Sequence, residues 1–293
     1  MIVESFLKYL DLERNYSDKT ITSYRIDLEQ FETYLKGIEE DLDVVGADAD
    51  LVRGWVIYLM DDGYSSSSVN RKLSSLRALY RYLLKKELIR VDPTQKVIAP
   101  KKEKPLPVFV KESEMDTLLD EVDFGDDFKG KRDHLIIQMF YSTGMRRAEL
   151  IGLDDDDVDL NACLIKVTGK RNKQRLIPFG EELKGEIESY LSVRNESMQA
   201  ATGAFFLGTR GKRITPNVVN NLVKQRLSKV VTLKKKSPHV LRHTFATSML
   251  NHDAELEAVR DLLGHSNLSA TEIYTHTTFE MLKKVYKQAH PRA

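Results

Sequence analysis

The 293-residue sequence has one cysteine, Cys163, which excludes an intramolecular disulfide and fits a reducing compartment. It has no apolar run approaching the roughly 18 residues of a membrane span. Its first residues, MIVESFLKYLDLERN, carry acids where a signal peptide needs a basic region, so the expected location is cytoplasmic. Internal repeats and low-complexity segments are missing as well. So is any large net charge: 45 Lys and Arg stand against 44 Asp and Glu, leaving +1, which at first argues against nucleic acid as a partner. The local absence is more telling. Between Glu196 and Asp253 there is no acidic residue, while Arg213, Lys224, Arg226 and the run Lys234, Lys235, Lys236 all lie there. The acids are pooled elsewhere, in residues 112–127 and 154–159, so a nearly neutral chain carries a locally positive surface.

What remains, 41% hydrophobic and 30% charged, is the composition of a soluble globular protein with room for two domains. The N-terminal part reads as a small all-helical domain. A first helix is expected over residues 3–12. A second opens at the N-cap Ser17, with Ile21, Tyr24, Leu28, Phe31 and Leu35 at helical spacing and Gly37 to close it. A third carries Leu51, Trp55, Val56 and Leu59. A fourth leaves the serine run 65–68 with Val69, Leu73, Leu76, Leu79 and Leu83 on its inner stripe, which places Arg71, Lys72, Arg77 and Arg81 toward solvent or a partner. Pro93, Pro100, Pro105 and Pro107 then punctuate a lysine-rich segment that resists helix and sheet and reads as an extended linker. The expected division is a helical domain over 1–100, a linker over 101–107 and a second domain over 108–293.

In that second domain, helices are expected over 112–121 and 132–141, the latter stopping at Ser142-Thr143-Gly144. A further helix starts at Met145 with Arg146, Arg147 and Glu149 in its first turn. The dipole favours acids at a helix N-terminus, so arginines there call for a function. Two short β-rich runs, 163–168 and 175–178, flank Gly169-Lys170-Arg171-Asn172-Lys173, a hairpin with a basic tip. Helices follow over 181–194, over 216–231, from Ser237-Pro238, and over 278–289 with Phe279, Leu282, Val285 and Tyr286 on one side.

Residues 237–275 hold the densest chemistry. His239 and Arg242, three apart, share a helix face, and His265 and Tyr274 follow. Neither HExxH nor a close His/carboxylate cluster accompanies them, so no metal spacing fits. Two imidazoles, a guanidinium and a phenol do fit a phosphodiester, with Arg and His donating to its oxygens and Tyr able to attack phosphorus.

The pieces STGMRRAELIGL, TGKRNKQRLIPF, HVLRHTFATSML, LGHSNLSATEIYTH and AHPRA together resemble the tyrosine recombinase (phage integrase) family, most closely its XerC/XerD type. They cover the C-terminal half in order; the N-terminal helices resemble the family's SAM-like core-binding domain more loosely. The resemblance implies a mainly α fold with a small β-sheet (α+β), arranged as a two-domain, C-shaped DNA clamp. It implies Arg146, Lys170, His239, Arg242 and His265 as catalytic residues, Tyr274 as nucleophile and Glu149 in support. Arg171 stands where many relatives have Gly, and the Gly-hydrophobic-Arg spacing selects Arg146 over Arg147. Candidate DNA contacts are Arg77, Arg81, Arg171, Lys173, Arg213, Lys224 and Arg226.

The activity implied is cutting and rejoining of DNA through a 3'-phosphotyrosyl link that keeps the bond energy, with no metal, ATP or other cofactor. The partners implied are a double-stranded recombination site, a homo- or hetero-tetramer on two duplexes, a second Xer recombinase and a septal DNA translocase. Resolution of chromosome dimers is the expected role. Integration of a phage or mobile element is the alternative within the family, and a catalytically silent DNA-binding architectural protein the alternative outside it. The last helix is expected either to dock on a neighbouring copy or to pack on its own domain.

Overall fold

A computed structural model describes residues 2–102, 108–169, 172–197, 203–264 and 276–293, the side chains of 276–280 excepted. Lys170, Arg171, His265, Tyr274 and much of the expected linker lie outside the described residues. The chain forms two compact units, Met1–Pro105 and Leu106–Ala293.

The first unit contains α1 (Ile2–Leu12), α2 (Asp18–Ile38), α3 (Ala49–Asp61) and α4 (Ser66–Lys85). Each of the last three starts at a side-chain cap that satisfies otherwise unpaired N–H groups: Ser17 accepts from Thr20, Asp48 from Asp50 and Leu51, and Ser65 from Ser68. The apolar stripes meet in one core, where Phe6, Leu28, Phe31, Trp55, Leu76 and Leu79 are essentially inaccessible to solvent. Trp55 packs at 4.9 Å on Phe31. Gly37 does not end α2, which runs on to Ile38 and caps at Glu39.

Lys72 departs from the expected outer face. It is 4% exposed, and its ammonium reaches Asp27 Oδ1 at 3.1 Å while lying over the Tyr64 ring. The fully buried Asp27 also accepts from Arg71 and, at 2.8 Å, from Ser75. A buried carboxylate requires such partners, so Asp27 draws Lys72 inward. The proline-rich segment is also less free than its composition implies. Val97 enters the core, its carbonyl accepts from Arg77 at 2.9 Å, and the Pro100 carbonyl accepts from Asn70 at 2.8 Å.

The second unit is built on α6 (Phe128–Thr143), which is buried on nearly every side and contacts α8 (Glu181–Ser197) and α10 (Pro238–Asn251). It starts four residues earlier than expected because Asp127 caps it, accepting from Gly130 at 2.7 Å. Ahead of it, α5 (Glu112–Asp116) widens into a π turn over Thr117–Glu121. After it come α7 (Arg147–Gly152) and an antiparallel sheet in the order β1 (Val158–Asp159), β2 (Leu164–Thr168), β3 (Gln174–Pro178). The register pairs Ile165 with Ile177 and Val167 with Arg175.

The remaining helices are α9 (Pro216–Val230), α11 (Leu256–Leu263) and α12 (His276–Ala289). Neither β1 nor α11 is among the elements expected from the sequence. A second apolar cluster joins α10, α11 and α12 through Phe245, Met249, Val259, Leu262, Leu282 and Tyr286, so in the chain by itself α12 lies on its own unit. The tail follows it. His290 is 4% exposed and stacks on Tyr286, while Arg292 bonds Asp116, Asp120 and Glu182.

Candidate active site

Gly144 sets the geometry of this region. It ends α6 in the left-handed conformation at φ 57°, and a Cβ there would lie 2.4 Å from the Phe245 ring. A side chain is excluded both by conformation and by space, so α10 packs directly on the turn. That contact brings Arg242, on α10, to donate to the Gly144 carbonyl at 2.7 Å.

The chain turns at Gly144 into α7, which starts at Arg147 with Arg146 as its N-cap, two residues after the start expected at Met145. Arg146 has extended backbone (φ −77°, ψ 149°), and its own N–H donates to Glu149 Oε2 at 2.7 Å, so the N3 carboxylate reaches back to the start of the helix. Its guanidinium, 37% exposed, donates to Glu149 Oε1 at 2.8 Å and to the Gly264 carbonyl at 3.3 Å. Arg146, not Arg147, therefore joins this cluster. Arg147 lies near enough to His239 to disfavour its protonation.

Glu149 is the hub. Its carboxylate is almost wholly buried and is met from the other side by Arg175 of β3, Nη1 to Oε1 at 2.8 Å and Nη2 to Oε2 at 2.9 Å. Burial alone would raise its pKa. The fork of Arg175, its charge, and the backbone and side chain of Arg146 outweigh burial and hold the carboxyl down at about 2. Arg242, also buried, is lowered to about 10, by burial first and then by the charges of Arg146 and Arg175, and stays protonated near neutrality.

The three arginines converge on one helix end. The last carbonyls of α11 accept in sequence, Leu262 from Arg175 at 2.8 Å, Leu263 from Arg242 at 2.6 Å and Gly264 from Arg146 at 3.3 Å. A helix C-terminus leaves carbonyls unpaired and favours cations, so this is a stable place to gather guanidiniums of like charge. The sequence passes from that end directly into His265 and, nine residues on, Tyr274.

His239 stands on the exposed side of the first turn of α10. Partial burial, then Lys235, Arg242, His243 and Arg147, lower its pKa, so the imidazole is neutral and able to accept a proton near pH 7.

The residues anticipated as DNA contacts divide. Arg81, Lys173 and Lys224 are exposed. Arg77 and Arg213 are partly committed, to Val97 and to the Ile151 and Leu153 carbonyls respectively. Arg226 is 8% exposed, sits 4.2 Å over the Phe124 ring and donates to the Asp123 carbonyl, which withdraws it from the candidate contacts. Arg175 was not anticipated. The signal for it is the strand alternation: Ile177 faces inward, so Arg175 shares the buried face and leaves Leu176 exposed.

The profile described as Phage integrase family matches residues 109–281, and that described as Phage integrase, N-terminal SAM-like domain matches residues 3–87. The chain is 37% identical over 314 residues to the tyrosine recombinase XerC of Chlorobaculum tepidum, covering 98% of this chain and 94% of that protein. To the tyrosine recombinase XerC of Staphylococcus saprophyticus it is 39% identical over 292 residues, covering 100% and 98%. Among solved structures it shares the fold of the Tn1549 transposon integrase in complex with circular intermediate DNA (TM-score 0.74, 20% identity, 96% of this chain and 98% of that one). It likewise shares that of XerH bound to its difH substrate (TM-score 0.71, 22% identity, 96% and 83%). Matched along almost its whole length and in both parts, the chain belongs to the phage integrase family and is a tyrosine recombinase, a DNA strand-transferring enzyme.

Proposed function

We propose that the chain is a site-specific recombinase of the XerC type that cuts and rejoins DNA through Tyr274. The observation that carries this reading is the gathering of Arg146 and Arg242 at the end of α11, next in sequence to the segment that holds His265 and Tyr274. A phosphodiester resists attack because it is anionic, and the pentacoordinate transition state adds charge that preorganised donors must meet. Arg146, partly exposed and held from behind by Glu149, presents its outer edge to one non-bridging oxygen, and Arg242 supports the other.

Tyr274 oxygen attacks phosphorus while neutral His239 takes the phenolic proton, and the bond from phosphorus to the 5' oxygen breaks. Lys170 gives that leaving oxygen its proton, and His265 adds a donor to the phosphoryl group. The phenol is neutral near pH 7, so transfer to His239 and a cationic surrounding both lower the barrier. The 3'-phosphotyrosyl link retains the energy of the diester, and a 5' hydroxyl from the partner strand reverses the steps with no cofactor.

Relatives named XerC that match along almost their whole length support resolution of chromosome dimers as the role; the tetramer on two duplexes, the second Xer recombinase and the septal DNA translocase are part of the proposal through the family resemblance alone. A nicked suicide duplex, in which the 5' fragment diffuses away after cleavage, tests the chemistry. The protein is expected to form a detergent-resistant adduct and Tyr274→Phe none. No adduct from the unaltered protein, or an adduct that persists in Tyr274→Phe, overturns the enzyme reading or the nucleophile respectively.

A further inference from the structure

Arg175 takes no part in the chemistry just described, yet its guanidinium is fixed at both ends of the cluster. All three of its donor nitrogens are engaged: Nη1 and Nη2 on the two oxygens of Glu149, and Nε on the Leu262 carbonyl. It is 7% exposed and lies flat against Gly264, where a Cβ would meet its guanidinium and stem at 3.1 to 3.3 Å. We propose that Arg175 is the positioning residue of strand cleavage: it holds Glu149 and the end of α11 in the register at which Arg146 presents its outer edge to the scissile phosphate.

The hydrogen-bond count at Glu149 supports the assignment. An ionised carboxylate offers about four acceptor sites. Here Oε1 accepts from Arg175 and the Arg146 side chain, and Oε2 from Arg175 and the Arg146 backbone. Every site is filled, two by each arginine. Without Arg175, the buried carboxylate retains a single partner residue and draws the Arg146 guanidinium inward to meet its charge. The same loss frees the Leu262 carbonyl, the first of the three acceptors that fix where Arg242 and Arg146 bind. Only a planar fork makes all three bonds at once; a lysine ammonium reaches one acceptor region and leaves the others. Because Arg175 sits on β3, the strand that follows the Lys170 hairpin, its anchor also ties the sheet to the arginine cluster.

The inference rests on the recombinase reading, and the experiment separates the two. Single-turnover adduct formation on the nicked duplex, at saturating DNA, is compared for the unaltered protein, Arg175→Lys, Arg146→Lys and the double variant, with DNA affinity and melting temperature followed alongside. Arg175→Lys keeps the charge and the stem and loses the fork. It is expected to slow adduct formation by about 10- to 100-fold, the range for small misplacement of a catalytic group, with affinity changed by less than about 3-fold. In the Arg146→Lys background the further loss should shrink to less than about 3-fold, because both act through one guanidinium.

Glu149→Gln enters the same hub by a second route and carries the test if Arg175→Lys does not fold; the same slowing and the same lack of additivity with Arg146→Lys are expected. An unaltered rate, a loss confined to DNA affinity, or losses that multiply would overturn the positioning role. Absence of any adduct from the unaltered protein would instead overturn the recombinase reading.

Discussion

Asp27 in the first unit and Glu149 in the second are both buried carboxylates held by two cations, and the two arrangements behave differently. Asp27 sits on α2 and gathers Arg71, Lys72 and Ser75, all from α4. It is a staple between two neighbouring helices, closed on every side but that of Arg71. Glu149 gathers Arg146 from its own cap and Arg175 from the sheet, and the pair of arginines reaches on to α11. It joins three elements and, among the described residues, leaves the Arg146 guanidinium partly exposed. The same local chemistry therefore gives stability in one unit and a charged working surface in the other. The difference lies in what the cations touch next.

That contrast is broken most strongly at Glu149. Glu149→Ala strands two arginines, one of them buried, and should lower stability by about 3 to 5 kcal/mol in denaturant unfolding while nearly eliminating adduct formation. Asp27→Ala leaves Lys72 buried without its anion. It should lower stability by about 3 kcal/mol, read as an early unfolding transition, yet leave adduct formation at saturating DNA within about 3-fold of the unaltered protein.

Acid separates the second unit further. Glu149 has a folded pKa of about 2 against an ordinary 4.5, so the stability it contributes is complete above about 4.5 and lost as pH falls toward 2. His290, buried among Tyr141, Phe245 and Tyr286, is pushed by burial down to about 4 from 6.5. The unfolded tail takes up its proton first, so stability is lost earlier, as pH falls from 6.5 toward 4. Each window is worth at most on the order of 3 kcal/mol. Melting curves should show both, and Glu149→Gln should remove only the lower one. The smallest effect is expected at Arg71, half exposed on Asp27, where Arg71→Ala should change stability by less than about 1 kcal/mol.

The contrast also explains what could be read in the sequence. Apolar spacing locates α1 to α4 and α6, and Thr-Pro and Ser-Pro mark the starts of α9 and α10 respectively, because those signals are local. Arg146 and Arg242 are legible through motif spacing. Lys72 is not, and for Arg175 strand alternation marks the buried face but not its partner. Nothing within a few residues announces the carboxylate that draws either cation inward: Asp27 is 45 residues from Lys72, and Glu149 is 26 from Arg175. Arg226 misleads for the same reason, its partner Phe124 lying far away in sequence. Gly144 is the intermediate case. Its stop signal is visible in Ser-Thr-Gly, but only packing reveals that Phe245 fills the space a side chain would need.

One measurement bears most directly on the difference between the two carboxylates: the rate of phosphotyrosyl adduct formation by Asp27→Asn and by Glu149→Gln, side by side, on the nicked duplex at saturating concentration and well below both melting temperatures. The rate for Asp27→Asn should match that of the unaltered protein within about 3-fold, and the rate for Glu149→Gln should fall by about 10- to 100-fold. Equal rates for the two variants, whether both high or both low, would contradict the assignment of Glu149 to the catalytic surface and of Asp27 to the scaffold.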